Sequence, residues 1–157
     1  MVEQYRRPYL DSSVFIAWIM GEVREGVGRA QIAASVIRLA EQRVYPIITS
    51  AATLAEVHKH KGLPRLTSDQ DQTILAFFEQ EFIQLVTVDR RIGERANQLC
   101  REYGLNPFDG IHVASALAAQ CDVLLAWDPH LTNTVIPGIR LEAPQILGQI
   151  PLELEDE

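Results

Sequence analysis

Short apolar runs rich in β-branched residues alternate with longer segments of helical period along almost the whole chain, and few folds satisfy that alternation. Pro8-Tyr9-Leu10 reads as a strand ending at Asp11, after which Ser12 and Ser13 start a helix carrying the apolar run Val14 to Met20. Gly21, Gly26 and Gly28 break the chain. Ile32, Val36 and Leu39 then recur at helical spacing, and Ala33 and Ala40 widen that face. A second strand, Tyr45 to Ile48, runs into Thr49 and Ser50, which cap a helix predicted to reach about His60. Thr67 or Ser68 caps the next helix, striped by Ile74, Phe77 and Phe78, and Phe82 to Val88 reads as a strand. Helical period from Arg90 stops at Gly104, and a further, all-round apolar helix spans Asp109 to Gln120. Val123 to Ala126 and Ile139 to Leu141 complete the strand candidates. The pattern predicts a parallel sheet covered by helices on both faces and joined by right-handed crossovers. Ligands of such sheets bind beyond the carboxyl ends of the strands.

Only one core of ordinary size is affordable for 157 residues of which 47% are hydrophobic, so a single domain is expected over residues 1–150. The acidic residues 151–157 are expected to form a disordered tail. Fourteen basic residues against 21 acidic ones give a formal net charge of −7, which excludes general attraction to a polyanion. Any nucleic-acid contact must come from a local basic patch or from bound cations. Lys59 and Lys61 are the only lysines and the other twelve cations are arginines, which suit both surface ion pairs and bidentate phosphate contacts. Two cysteines, Cys100 and Cys121, and the lack of an apolar stretch after the basic start point to free thiols in the cytosol. No membrane anchor is expected, because Ile111 to Trp127 is interrupted by polar residues.

Acidic residues stand where such a sheet binds ligands. Asp11 ends the first strand, Asp128 follows the Val123 to Ala126 strand, Asp109 opens the apolar helix, and Glu56 lies inside the helix after the second strand. Each has a purely structural role open to it: Asp11, Asp109 and Asp128 fit helix caps, and Glu56 fits a solvated position. Gathered at one sheet edge, however, four carboxylates repel one another unless protonated or neutralised by a cation. Oxygen donors without a Cys or His ligand favour Mg²⁺ or Mn²⁺ over zinc. With such ions, hydrolysis of a phosphodiester by activated water becomes feasible. Ser13 has two roles open to it, starting the helix or contacting a bound water or phosphate. His112, one turn past Asp109, fits either an orienting partner of that acid or a hydrogen-bonded core histidine. Trp18, Phe77, Phe78, Phe82 and Trp127 are expected in the core.

Four segments together resemble the PIN-domain nucleases, especially their VapC-like toxin branch: Tyr9-Leu10-Asp11-Ser12-Ser13-Val14, the Thr49-Ser50 helix with Glu56-Val57, Pro107-Phe108-Asp109-Gly110-Ile111-His112-Val113-Ala114-Ser115-Ala116, and Leu124-Leu125-Ala126-Trp127-Asp128-Pro129. The resemblance covers about residues 8 to 142, and its most specific part is the block around Asp109. It implies a three-layer α/β/α sandwich with a mainly parallel five-stranded sheet, often dimeric. It also implies an endoribonuclease in which Asp11, Glu56, Asp109 and Asp128 hold Mg²⁺ or Mn²⁺, and a type II toxin with an antitoxin protein partner. The chain departs from many relatives at Ala126-Trp127, where they carry a hydroxyl- or amide-bearing residue beside the acid. Two other readings compete: a catalytically silent binding protein of the same fold, and a phosphatase with Asp11 as nucleophile. The second lacks the usual acid two residues on, where Ser13 stands, and a lysine at a later strand end.

Overall fold

The computed structural model describes residues 5–58 and 65–146. Its core is a sheet of five strands, β1 (Pro8–Leu10), β4 (Ile47–Ser50), β5 (Ile83–Val86), β6 (Val123–Leu125) and β7 (Arg140–Glu142), in the order β5-β4-β1-β6-β7. Every pairing within it is parallel. The connecting helices are α1 (Ser12–Met20), α2 (Arg29–Glu41), α3 (Ala51–Glu56), α4 (Ser68–Phe77), α5 (Arg90–Tyr103), α6 (Pro107–Ala118) and α7 (Pro129–Thr132). A small antiparallel hairpin, β2 (Val23–Arg24) and β3 (Val27–Gly28), separates α1 from α2.

The period of two along a strand sorts the core into two layers. Leu10, Ile47, Ile83, Val123 and Leu125 pack on one face with Val14 and Phe15 of α1, Val36 and Ile37 of α2 and Ile74 of α4. Tyr9, Ile48 and Leu124 face the other way, onto Ile92, Ala96 and Leu99 of α5 and Val113, Ala114 and Ala116 of α6. The result is the three-layer α/β/α arrangement expected from the alternation. Trp18, Phe77, Phe78 and Phe82 pack in or against the first layer, as expected. Trp127 does not: it belongs to neither layer of the core. Cys100 and Cys121 are free and pack in the second layer, where burial pushes the Cys121 thiol up to about 12.

Several boundaries differ from expectation for identifiable reasons. The second strand runs Ile47–Ser50, two residues later than Tyr45 to Ile48: Pro46 has no N–H to give a ladder, and pairing with β5 begins at Ile47. The helix after it ends at Glu56, short of His60, and residues 59–64, Lys59 and Lys61 included, lie outside the described residues. So do the tail residues 151–157. The apolar helix begins at Pro107 behind an Asn106 cap, so Asp109 sits inside its first turn and is not its cap. Among the described residues, no helix is long and apolar enough to cross a membrane.

Candidate functional site

Chain direction reverses across β1: the chain builds outward through β4 and β5 on one side, then crosses to β6 and β7 on the other. Ligand sites of open parallel sheets lie at the carboxyl end of such a switch point. Asp11 stands there, immediately after β1, with its backbone N–H bonded to the Leu125 carbonyl of β6 at 3.0 Å. On the other flank, the Thr49 hydroxyl donates to the Leu10 carbonyl at 2.8 Å and shares a hydrogen with Thr53 of α3 at 2.6 Å. These buried bonds fix the start of α3 against the end of β1, and with it the position of Glu56 at the far end of that helix.

Asp11 both caps α1 and faces the site. Its Oδ2 accepts from the Ser13 hydroxyl at 2.8 Å, while Oδ1 lies 3.3 Å from Nε2 of His112. Ser13 therefore holds Asp11 directly. The same Nε2 is 2.6 Å from Oε1 of Glu56, which is thus an anchored carboxylate and not a solvated one. His112 is wholly buried, and its Nδ1 meets the Tyr9 hydroxyl of β1 at 2.6 Å. In either protonation state Nε2 carries the hydrogen that Glu56 and Asp11 share; the neutral ring accepts from Tyr9 at Nδ1, and the imidazolium donates to it. Burial alone would lower the His112 pKa, but the bond to Glu56 and the charges of Asp11, Glu56 and Asp109 outweigh it, and the net shift is upward. Of the two roles open to it, His112 takes that of a hydrogen-bonded core histidine, and the acids it meets are Asp11 and Glu56.

Asp109 is steadied by Asn106 instead, whose side chain donates to its Oδ2 at 2.8 Å and accepts its backbone N–H at 2.9 Å. Its carboxyl is pushed up to about 6, first by burial and then by the charge of Asp11, with Asp128 and Glu56 adding and His112 opposing. The charges of the other three acids thus all reach Asp109. Asp128 caps α7 through its Oδ1 and remains exposed at the rim. The residues missed from sequence are Tyr9 and Asn106. Nothing in a strand tyrosine signals its hydroxyl, but Asn before Pro107 is a recognisable cap.

Chemically, the carboxylates are oxygen donors of the kind that suits a hard divalent cation. Among the described residues, no group of three or more His, Cys, Asp or Glu side chains is placed to hold a metal ion. Mg²⁺ does not need one, since it binds through one or two carboxylates, water and substrate phosphate.

A family model described as PIN domain matches residues 9–135. No curated protein matches the chain. Among solved structures, a toxin–antitoxin complex from Klebsiella pneumoniae is similar over 84% of this chain and 94% of its own, at 19% identity and a TM-score of 0.61. VapC20 of Mycobacterium tuberculosis, a toxin that cleaves the sarcin-ricin loop, is similar over 80% and 93%, at 15% identity and a TM-score of 0.60. VapBC2 of Rickettsia felis, solved with a promoter DNA fragment, is similar over 88% and 99%, at 17% identity and a TM-score of 0.61. At these identities the likeness is one of fold.

Proposed function

Because the chain belongs to the PIN-domain family, we propose that it is a Mg²⁺- or Mn²⁺-dependent endoribonuclease and the toxin of a type II toxin–antitoxin pair. The observation that supports this reading is that Asp11 and Glu56 meet at Nε2 of His112 at the carboxyl end of the switch point, with the half-buried Asp109 carboxyl within reach of their charges. In it, Asp11, Glu56 and Asp109, with Asp128 at the rim, hold the ion. When bound, the ion supplies positive charge for the phosphate and acidifies water in line with the scissile bond. The chain's own part is to fix its carboxylates. His112 holds Glu56 and Asp11 through Nε2, Ser13 holds Asp11, and Asn106 holds Asp109; the burial of His112 strengthens the first of these contacts.

An antitoxin partner belongs to the same reading and is supported by the toxin–antitoxin complexes among the similar folds; a homodimer is part of the proposal as well. Incubation of the purified protein with a panel of cellular RNAs, with Mg²⁺ or Mn²⁺ and then with chelator, tests the activity. Loss of intact RNA is expected from wild type with metal and not from Asp11→Asn or Asp109→Asn. Equal loss from all three proteins refutes the reading.

A further inference from the structure

Beside the acidic site lies a cleft of about 380 Å³ that shares Ser13 and Asp128 with it and is otherwise walled by Glu22, Arg24, Arg29, Trp127, Pro129 and Ile16. Its volume falls within the roughly 300–1,000 Å³ of small-molecule sites. Three features of the wall lack a purely structural purpose. Trp127 is excluded from both core layers, although it occupies the position directly before Asp128. Its indole N–H is buried, yet finds no acceptor among the described residues. Arg29 opens α2, where its charge opposes the helix dipole, an arrangement that costs stability and is tolerated mainly at functional sites.

The two arginines are held as a pair. Glu22 lies 3.4 Å from Arg29 and 3.5 Å from Arg24, and the Arg29 guanidinium sits 4.8 Å above the Trp127 ring. Glu22 and Asp128 balance the two guanidiniums, so the cleft is a mixed-charge wall and not a cationic patch. Arg24, on the hairpin, keeps most of its side chain in solvent, free to turn toward a phosphate. In a chain of net charge −7, these guanidiniums stand directly beside the acids.

Resting on the ribonuclease reading, we propose that this cleft seats the nucleotide adjoining the scissile phosphate of single-stranded RNA. Arg24 and Arg29 contact its backbone phosphate, and Trp127 offers an apolar wall shared with Pro129 and Ile16. Guanidiniums beside an apolar aromatic wall are groups that grip splayed-out bases and their phosphates. Trp127 thereby takes the place beside the acid that a hydroxyl or amide fills in many relatives.

The test uses a fluorescein-labelled single-stranded RNA dodecamer with Mg²⁺, bound to Asp109→Asn protein so that cleavage does not intervene. Arg24→Gln and Trp127→Phe, added singly, are each expected to weaken binding about five- to tenfold, and Arg24→Gln to lower the slope of log affinity against log salt by about 1. Arg101→Gln, exposed near the far end of α5, is expected to change neither. With Trp18→Phe, Trp127 becomes the sole tryptophan, and its fluorescence is expected to change on RNA addition. In the cleaving protein, Arg24→Gln is expected to raise KM several-fold with kcat within about twofold. Unchanged affinity, slope and KM, with aspartate-dependent cleavage intact, overturn the subsite and leave the nuclease reading standing. So does loss of binding to a partner peptide alone. Wild type that binds RNA through these residues but cleaves none keeps the subsite and sinks the nuclease reading.

Discussion

Asp109 carries the site's internal conflict, and it makes that conflict measurable without substrate. Its folded pKa of about 6 lies above the ordinary carboxylate value, so the folded protein binds the Asp109 proton more tightly than the unfolded chain does. By linkage, stability then falls as pH rises from about 4 to 6 and stays lowered above 6. In the presence of chelator, Asp109→Asn is expected to be more stable than wild type by about 1 to 2 kcal/mol at pH 7, allowing for solvent screening. The difference should vanish as pH falls toward 4, and thermal melts across that window check it; a variant less stable at pH 7 would contradict the repulsion. His112 should behave oppositely. His112→Ala leaves the Tyr9 hydroxyl and a Glu56 oxygen without their partner, and a loss of about 2 to 4 kcal/mol in urea unfolding is expected. Tyr9→Phe, which removes only the upper bond, should cost about 1 kcal/mol.

The pairing of α5 with α6 shows how one backbone position sets an element's place. Gly110 is where these helices touch: a β-carbon there would come within 2.5 Å of the Cys100 sulfur and 3.0 Å of the Ala96 carbonyl oxygen. Gly110→Ala is therefore expected to destabilise by about 1 to 3 kcal/mol by pushing α6 outward. Adding Cys100→Ala should recover part of that loss, because the sulfur clash goes while the carbonyl stays; full recovery in chemical unfolding would place all the strain at the sulfur. The same helix marks what was legible in the sequence. Its apolar, all-round composition announced burial, and the alternation around it announced the sheet, because period and composition are local properties. The hairpin went unseen because its turn is Glu25-Gly26, both at positive φ, where the familiar signal is Asn-Gly or Asp-Gly. That Asp11 and Asp128 follow strands was legible from the alternation, whereas Glu56, inside a helix, rested on the resemblance. That His112 would bridge Asp11 and Glu56 was not legible, because it depends on how α3 and α6 lie across β1 and β4.

At the scale of the whole molecule, a chain of net charge −7 that is to act on a polyanion needs its negative charge offset where the strand lies. On the proposed reading, a divalent ion at the acids of the switch point would remove repulsion and create attraction at once. Binding to the folded state alone stabilises it by mass action, about 2.7 kcal/mol at a hundredfold excess over Kd. Mn²⁺ is therefore expected to raise the melting temperature of wild type by roughly 5 to 10 °C, given about 2–4 °C per kcal/mol for a chain of this size. The rise should be larger at pH 7.5 than at pH 5, since the ion and the proton on Asp109 compete for one carboxylate. Asp11→Asn and Asp109→Asn should each lose most of it, while Arg24→Gln, outside the acids, should keep it whole. A rise of equal size in all four proteins would mean that manganese sits elsewhere on an acidic surface, and the cluster would then be repulsion without a resident ion.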